Sequence, residues 1–406
     1  MNTIKSNTFC VRPFSSLYIA TDGSFKFCCA DTHVEIPRKF NITNTNLLEL
    51  WNSSYHQKIR YELLNNIVPK SCKAKCFHTK HKEEFMLVKP RRLLDEHNQR
   101  KLILGNLNQN TSKDFTPIMS LEPIISIELS FSNKCNLKCR MCSPKFSDQL
   151  YDEWNSIPHV TKIDYTSIPD WTESIDAWNN IFNFLEEIVK NNPNQVVNFI
   201  LSGGEPLINE GMYRFFDLAL DKGLCKNIAI SYNTNLTVLP KKLIDYWYNF
   251  KSIKLSISCD GYDKVNEYIR YPSKWSKLLS NLDILKSINK PNLTWNFIAT
   301  AQIYNISNLI DLDNWVTENS KKLYIYELVF PTYLSIRALP MDIKLSIIDS
   351  WKNQNINRDW LKNIIIYMLS KDQSSEFSKF IDFTKHLDNK RNQNVLDIFP
   401  ELEKYW

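Results

Sequence analysis

Between residues 119 and 335, strand-like runs alternate with helix-like runs, and this alternation constrains the fold more than any other feature of the chain. Six strands are expected at 124–131, 196–202, 227–233, 252–260, 293–302 and 323–329. Helical stretches are expected between them at 174–190, 211–221, 241–250, 276–288 and 306–320. Strands joined through helices run parallel, so the pattern predicts an α/β fold built of six βα units.

Side chains two apart share one face of a strand. The first strand therefore sorts Ser126, Glu128 and Ser130 from Ile125, Ile127, Leu129 and Phe131, and the fourth sorts Ser256, Ser258 and Asp260 from Leu255, Ile257 and Cys259. The third separates Ser231 and Asn233 from Ile230 and Tyr232, and the fifth collects Thr294, Asn296, Thr300 and Gln302. The apolar faces must meet the helices, which makes Cys259 a core residue. A closed barrel fills its centre with branched apolar side chains; the polar faces here predict a cavity for a polar ligand instead.

Three features follow strand ends, where βα folds place their sites. After the first strand comes Cys135-Asn136-Leu137-Lys138-Cys139-Arg140-Met141-Cys142, after the second Ser202-Gly203-Gly204-Glu205-Pro206, and after the fourth Asp260-Gly261 with Arg270 beyond. Three close thiolates are soft ligands suited to iron–sulfur or zinc. A 4Fe–4S cluster held by three cysteines keeps one iron open, whereas zinc wants a fourth protein ligand. The chain has seven glycines where average usage would give roughly 28. A Gly203-Gly204 pair therefore marks backbone that must come close to something.

Ten cysteines in a chain without a signal-peptide core read as metal ligands rather than disulfides. A second set precedes the barrel: Cys10, Cys28, Cys29, Cys72 and Cys76. The run from Leu17 to Cys29 predicts a hairpin turning at Asp22-Gly23, which brings Cys10 and Cys28 to one end. A helical stretch opens at Leu47, passes Ile59 and Arg60, and stops near Pro69.

The C-x3-C-x2-C spacing of Cys135, Cys139 and Cys142 resembles that of the radical S-adenosylmethionine (SAM) enzymes. The resemblance implies a partial (β/α)6 TIM-type barrel. It also implies a 4Fe–4S cluster whose open iron chelates SAM, and a 5′-deoxyadenosyl radical that abstracts hydrogen from a substrate. Gly203, Gly204, Glu205 and Pro206 resemble the family's segment for the SAM amino group. Ser258 resembles its ribose contact and Arg270 its contact to SAM polar groups. Asn235, after Thr234, resembles a segment near the ribose. Met141 stands where the family usually has an aromatic residue near adenine, and its apolar, polarizable side chain suits the same packing. Cys10, Cys28, Cys72 and Cys76, with Leu47–Ser53 and Arg60, resemble the SPASM/twitch domain, which implies an auxiliary 4Fe–4S cluster; Cys29 is an alternative to Cys28. In the commoner SPASM layout this domain follows the barrel, and here it precedes it.

The expected organisation is an auxiliary cluster domain at 1–80, a linker at 81–118, the barrel at 119–335 and a helical appendage at 336–406. That appendage has helix-like spacing at 343–351, 360–369 and 377–386, and caps the barrel or binds a partner. The resemblance implies a peptide or protein substrate and an external electron donor such as a flavodoxin or ferredoxin. Oxidation or epimerisation of a small molecule such as a sugar or nucleotide derivative is the alternative. From another class, a non-catalytic binding protein stapled by zinc uses the same cysteines. Residues 70–101 hold ten basic against four acidic residues, either a solvated linker face or a docking strip for an acidic partner. No aromatic-interleaved basic motif points to nucleic acid, and no apolar run reaches membrane-spanning length. The expected location is the cytoplasm.

Overall fold

The structure, a computed structural model, describes residues 10, 12–27, 40–73, 126–158, 160, 162, 170–353 and 358–406. Eight strands form one sheet in the order β2-β1-β3-β4-β5-β6-β7-β8. The last six are those expected from the alternation: β3 (Ser126–Ser130), β4 (Val197–Ser202), β5 (Ile228–Thr234), β6 (Ser252–Ser258), β7 (Leu293–Ala301) and β8 (Leu323–Glu327). They follow one another in chain order, β3 parallel to β4, β4 to β5, and β7 to β8. The sheet ends at β2 and β8 and does not close, as a partial barrel requires.

The N-terminal hairpin forms where expected, β1 (Ser16–Ile19) pairing antiparallel with β2 (Phe25–Lys26). The strand pattern did not reveal its destination. β1 pairs in parallel with β3, setting Tyr18 beside Glu128 and Ser16 beside Ser126, and the Ser126 hydroxyl donates to that of Ser16 at 2.9 Å. The helical stretch after Leu47 is two helices, Leu47–Trp51 and Ser54–Leu64. Ser53 divides them, its hydroxyl accepting from the His56 N–H and capping the second. The linker expected at 81–118 lies outside the described residues, as do Cys28, Cys29 and Cys76.

The chain divides into two compact units. The first comprises the described residues of Met1–Ser132, Ile168–Tyr232 and Lys241–Lys254. Here the helices Ile175–Asn191 and Glu210–Asp221 bury Trp178, Phe182 and Phe215. Phe215 meets Phe199 of β4 at 4.9 Å between ring centroids, and Trp178 meets Phe131 at 6.3 Å. The odd-numbered face of β3 and β4 thus packs against helices. Glu128, Asn198 and Ser202 occupy the opposite, half-buried face, where the Ser202 hydroxyl donates to Glu128 Oε1 at 3.2 Å. The aromatic side chains supply much of this core, each worth about 1.5–3 kcal/mol of burial.

The second unit comprises the described residues of Asn133–Ser167, Asn233–Pro240 and Leu255–Trp406. It holds Trp275–Ser287, Leu309–Glu318 and the three C-terminal helices Met341–Asn353, Leu361–Ser370 and Phe377–Arg391. Cys259 is fully buried, as the alternation predicts. Asp260 is also fully buried, although it belongs to the polar face; its partners explain this below.

Candidate active site

The cysteine loop 135–142 is non-repetitive backbone held by specific bonds. The Cys142 N–H donates to the Cys139 carbonyl at 3.0 Å, closing a turn between two of the thiols. The Arg140 N–H donates to Ile269 O at 2.9 Å and the Lys138 N–H to Tyr271 O. Asp148 Oδ1 accepts from the Cys135 N–H, and the Ser147 hydroxyl donates to Leu137 O. Asn136 donates to the Thr237 hydroxyl at 2.8 Å and accepts from Asn235 Nδ2 at 3.0 Å. Asn235 is thus brought directly to the loop.

The seven described cysteines are thiols rather than disulfides. Cys139 is buried, while Cys135, Met141 and Cys142 are partly exposed. A hydrogen bond from Cys142 lowers the Cys139 pKa, and the Arg270 charge adds to this against the opposing effect of burial. The same bond, with burial, raises that of Cys142. The Cys142 hydrogen bond and the Arg270 charge thus favour the thiolate at Cys139, and a thiolate is the ligand form.

Arg270 lies beyond the helix Lys264–Ile269, and its Nη2 meets Asp260 Oδ2 at 2.7 Å. Burial opposes the guanidinium charge. Asp260 and the thiols of Cys139, Cys142 and Cys259 outweigh it, and the pKa rises further above the usual arginine range. Asp260 is itself held on all sides. Its Oδ1 accepts from the Thr300 N–H at 2.7 Å, its carbonyl from Asn305 Nδ2 at 2.7 Å, and its own N–H donates to Asn266 Oδ1. The pair leaves Arg270 Nε buried without a hydrogen-bond partner among the described residues. Ser258 ends β6 two residues before Asp260, partly exposed.

The glycine segment belongs to the first unit. Gly203 and Gly204 have φ of 92° and 52°. A Cβ on Gly203 would fall 2.6 Å from Ser132 O and 2.7 Å from Ser130 Oγ, so the site admits no side chain. Glu205 is buried and its Oε1 accepts from the Leu207 N–H, capping the turn that Pro206 begins.

In the N-terminal region, Cys10 and Cys72 pack with the same apolar group, Phe14, Phe27, Ile59 and Leu63. Arg60 ties the chain after Cys10 to the helices: Nε donates to Pro13 O at 2.8 Å, Nη1 to Trp51 O at 2.9 Å, and the guanidinium lies 4.1 Å over the Trp51 ring.

Among the described residues, no three His, Cys, Asp or Glu side chains converge as ligands of a single ion. The donor chemistry fits an iron–sulfur cluster with a small zwitterionic ligand. It offers soft thiols, an arginine fixed beside them, and a buried Nε–H without an acceptor among the described residues. Sequence reasoning placed Asp260 on the polar face but missed its partner; a carboxylate ten residues before an arginine is too weak a signal. Asn136 and Arg140, inside the loop, carry no pattern of their own that points to their partners.

The family model of the Radical SAM superfamily matches residues 129–316. That of an iron–sulfur cluster-binding domain, SPASM, matches residues 10–77. No curated protein matches the chain. Similar solved structures include native anSMEcpe with bound AdoMet, 18% identical with a TM-score of 0.37, the match covering 57% of this chain and 61% of that one. Streptococcus suis SuiB bound to precursor peptide SuiA is 13% identical with a TM-score of 0.36, covering 85% of this chain and 67% of that one. The thiol loop and its paired arginine lie inside the first matched region, and the second begins at Cys10 and ends one residue past Cys76. The chain therefore carries a radical SAM domain preceded by an iron–sulfur cluster-binding domain, with 4Fe–4S clusters and S-adenosylmethionine as its cofactors.

Proposed function

We propose that the protein is a radical SAM enzyme that modifies a peptide or protein by hydrogen abstraction. When bound, the reduced cluster and SAM supply a 5′-deoxyadenosyl radical, the electron coming from an external donor such as a flavodoxin or ferredoxin. Cys135, Cys139 and Cys142 would hold the cluster. Arg270 would turn its guanidinium to a SAM carboxylate, a match of fork to acceptor, with Asp260 keeping the fork in place. The Gly203 to Pro206 backbone, Ser258, Asn235 and Met141 would bind the rest of the cofactor. Cys10, Cys72, Cys76 and either Cys28 or Cys29 would hold the auxiliary cluster.

The observation that carries this reading is the buried Arg270–Asp260 pair beside the thiol loop, with its unspent Nε–H. A zinc staple gives no reason for that donor. The N-terminal SPASM match and the basic 70–101 strip support a peptide substrate, since the strip complements an acidic chain. No helix among the described residues is long and apolar enough to cross a membrane.

The test of the substrate class is deuterium transfer. Anaerobically reconstituted protein is given SAM, reductant and an acidic peptide deuterated at its side chains. Deuterium in 5′-deoxyadenosine, with product formed faster than without peptide, supports the reading. Acceleration by sugar or nucleotide derivatives, with none by peptides, would overturn the peptide assignment.

A further inference from the structure

The end of the C-terminal helix reaches the cysteine loop. Arg140, between Cys139 and Met141, has a side chain with no exposure. Its Nη2 donates to Asp388 Oδ1 at 2.6 Å and to Gln393 Oε1 at 2.9 Å, and its Nε donates to Tyr268 O at 3.1 Å. The guanidinium lies 3.7 Å over the Tyr268 ring and 5.4 Å from that of Tyr304. Asp388 is saturated in turn: Oδ1 also accepts from the Tyr268 hydroxyl at 2.7 Å, and Oδ2 from the Val395 N–H at 2.8 Å.

The same helix makes a second grip three residues on. Arg391 Nη2 meets Glu153 Oε2 at 2.6 Å, Glu153 lies 3.8 Å from Lys138 Nζ, and the Arg391 guanidinium sits 4.9 Å over Tyr271. Lys138 and Arg140 flank Cys139 on either side. After Arg391 the helix stops at Asn392 in the left-handed region, which turns Gln393 back to Arg140. A surface appendage would not bury an ion pair against a loop 248 residues earlier in the chain, with a second pair to Glu153 beside it, because desolvating each charge is expensive unless its geometry is fixed.

We propose that the helix terminus Asp388–Gln393 is a positioning element of the radical-generating centre. Through Arg140 and Lys138 it fixes the backbone on both sides of Cys139, so that the three thiols hold one spacing. This rests on the proposed cluster at Cys135, Cys139 and Cys142, and makes the C-terminal region part of that centre rather than a separate module. Asp388 and Arg140 touch neither substrate nor cofactor in this assignment; they act through Cys139.

The test uses the full chain, reconstituted anaerobically, with iron counts and the electron paramagnetic resonance spectrum of the reduced protein with and without SAM. Asp388→Asn keeps the shape and removes the charge. We expect it to lower bound iron from about eight to about four per chain, the auxiliary set being spared, and to abolish the SAM-dependent change in the spectrum. Adding Gln393→Glu to Asp388→Asn returns a carboxylate to Arg140 Nη2 and is expected to restore both readouts. Iron and spectrum unchanged in Asp388→Asn would overturn the proposal, as would a double variant no better than the single one. If Asp388→Asn yields no folded protein, Tyr268→Phe decides. It keeps the ring over Arg140 and removes one hydrogen bond to the carboxylate. Iron release to a chelator should then quicken about tenfold, and an unchanged rate would overturn the proposal. A wild-type protein whose spectrum ignores SAM would sink the radical SAM reading itself, and this proposal with it.

Discussion

Asp260 governs what Arg270 can do. A free arginine in a polar cavity samples many rotamers; here one nitrogen is fixed at 2.7 Å to a carboxylate that accepts from the Thr300 N–H and whose own backbone carbonyl is held by Asn305. Replacing Arg270 with lysine keeps the charge and loses the fork. We expect SAM affinity, measured by calorimetry on reconstituted protein, to fall about tenfold or more; an unchanged Kd would remove Arg270 from the site. Gly203 allows a sharper comparison. Gly203 and Gly223 both have positive φ, but a Cβ on Gly203 strikes the Ser132 carbonyl at 2.6 Å while one on Gly223 meets nothing within 4 Å. Gly203→Ala should therefore cost well over the ~1 kcal/mol that conformational strain alone costs Gly223→Ala, read as a clearly larger drop in Tm. Equal drops would mean that the close approach at Gly203 does not matter. These residue-scale facts were half legible. Spacing marked Gly203, Gly204 and Arg270, but Asp260, Asn136 and Arg140 act through partners that no local pattern names.

At the scale of elements, alternation located β3 to β8 because each strand must show one face to helices. A short piece such as Lys264–Ile269 carries too few residues to display a period. The partner of β1 was equally hidden: its four residues fit beside any strand, and only the structure shows β3. The helix Ser54–Leu64 carries a testable charge. His56 is fully buried, and burial followed by the Arg60 charge holds its pKa well below the usual histidine range. The unfolded chain binds a proton near pH 6.5 while the folded chain does not, so stability is level above that pH and declines as pH falls below it. The Tm difference between pH 7.5 and pH 5.5 should be smaller in His56→Phe than in wild type. An identical difference would show that His56 does not report on this helix.

For the molecule as a whole, closely spaced thiols are visible in the sequence, whereas the ion pair between Arg140 and Asp388 joins residues 248 apart and leaves no trace in either neighbourhood. The matched iron–sulfur domain at 10–77 and radical SAM domain at 129–316 place two kinds of cysteine set in one chain. We propose reductive cleavage of SAM at the loop 135–142 as their common consequence. The most direct measurement is 5′-deoxyadenosine formed by anaerobically reconstituted protein given reductant and SAM, beside a Cys135→Ala, Cys139→Ala, Cys142→Ala triple variant. The account predicts 5′-deoxyadenosine from the wild type and none above background from the variant. Equal amounts from both, or none from wild-type protein with its full complement of iron, would contradict it.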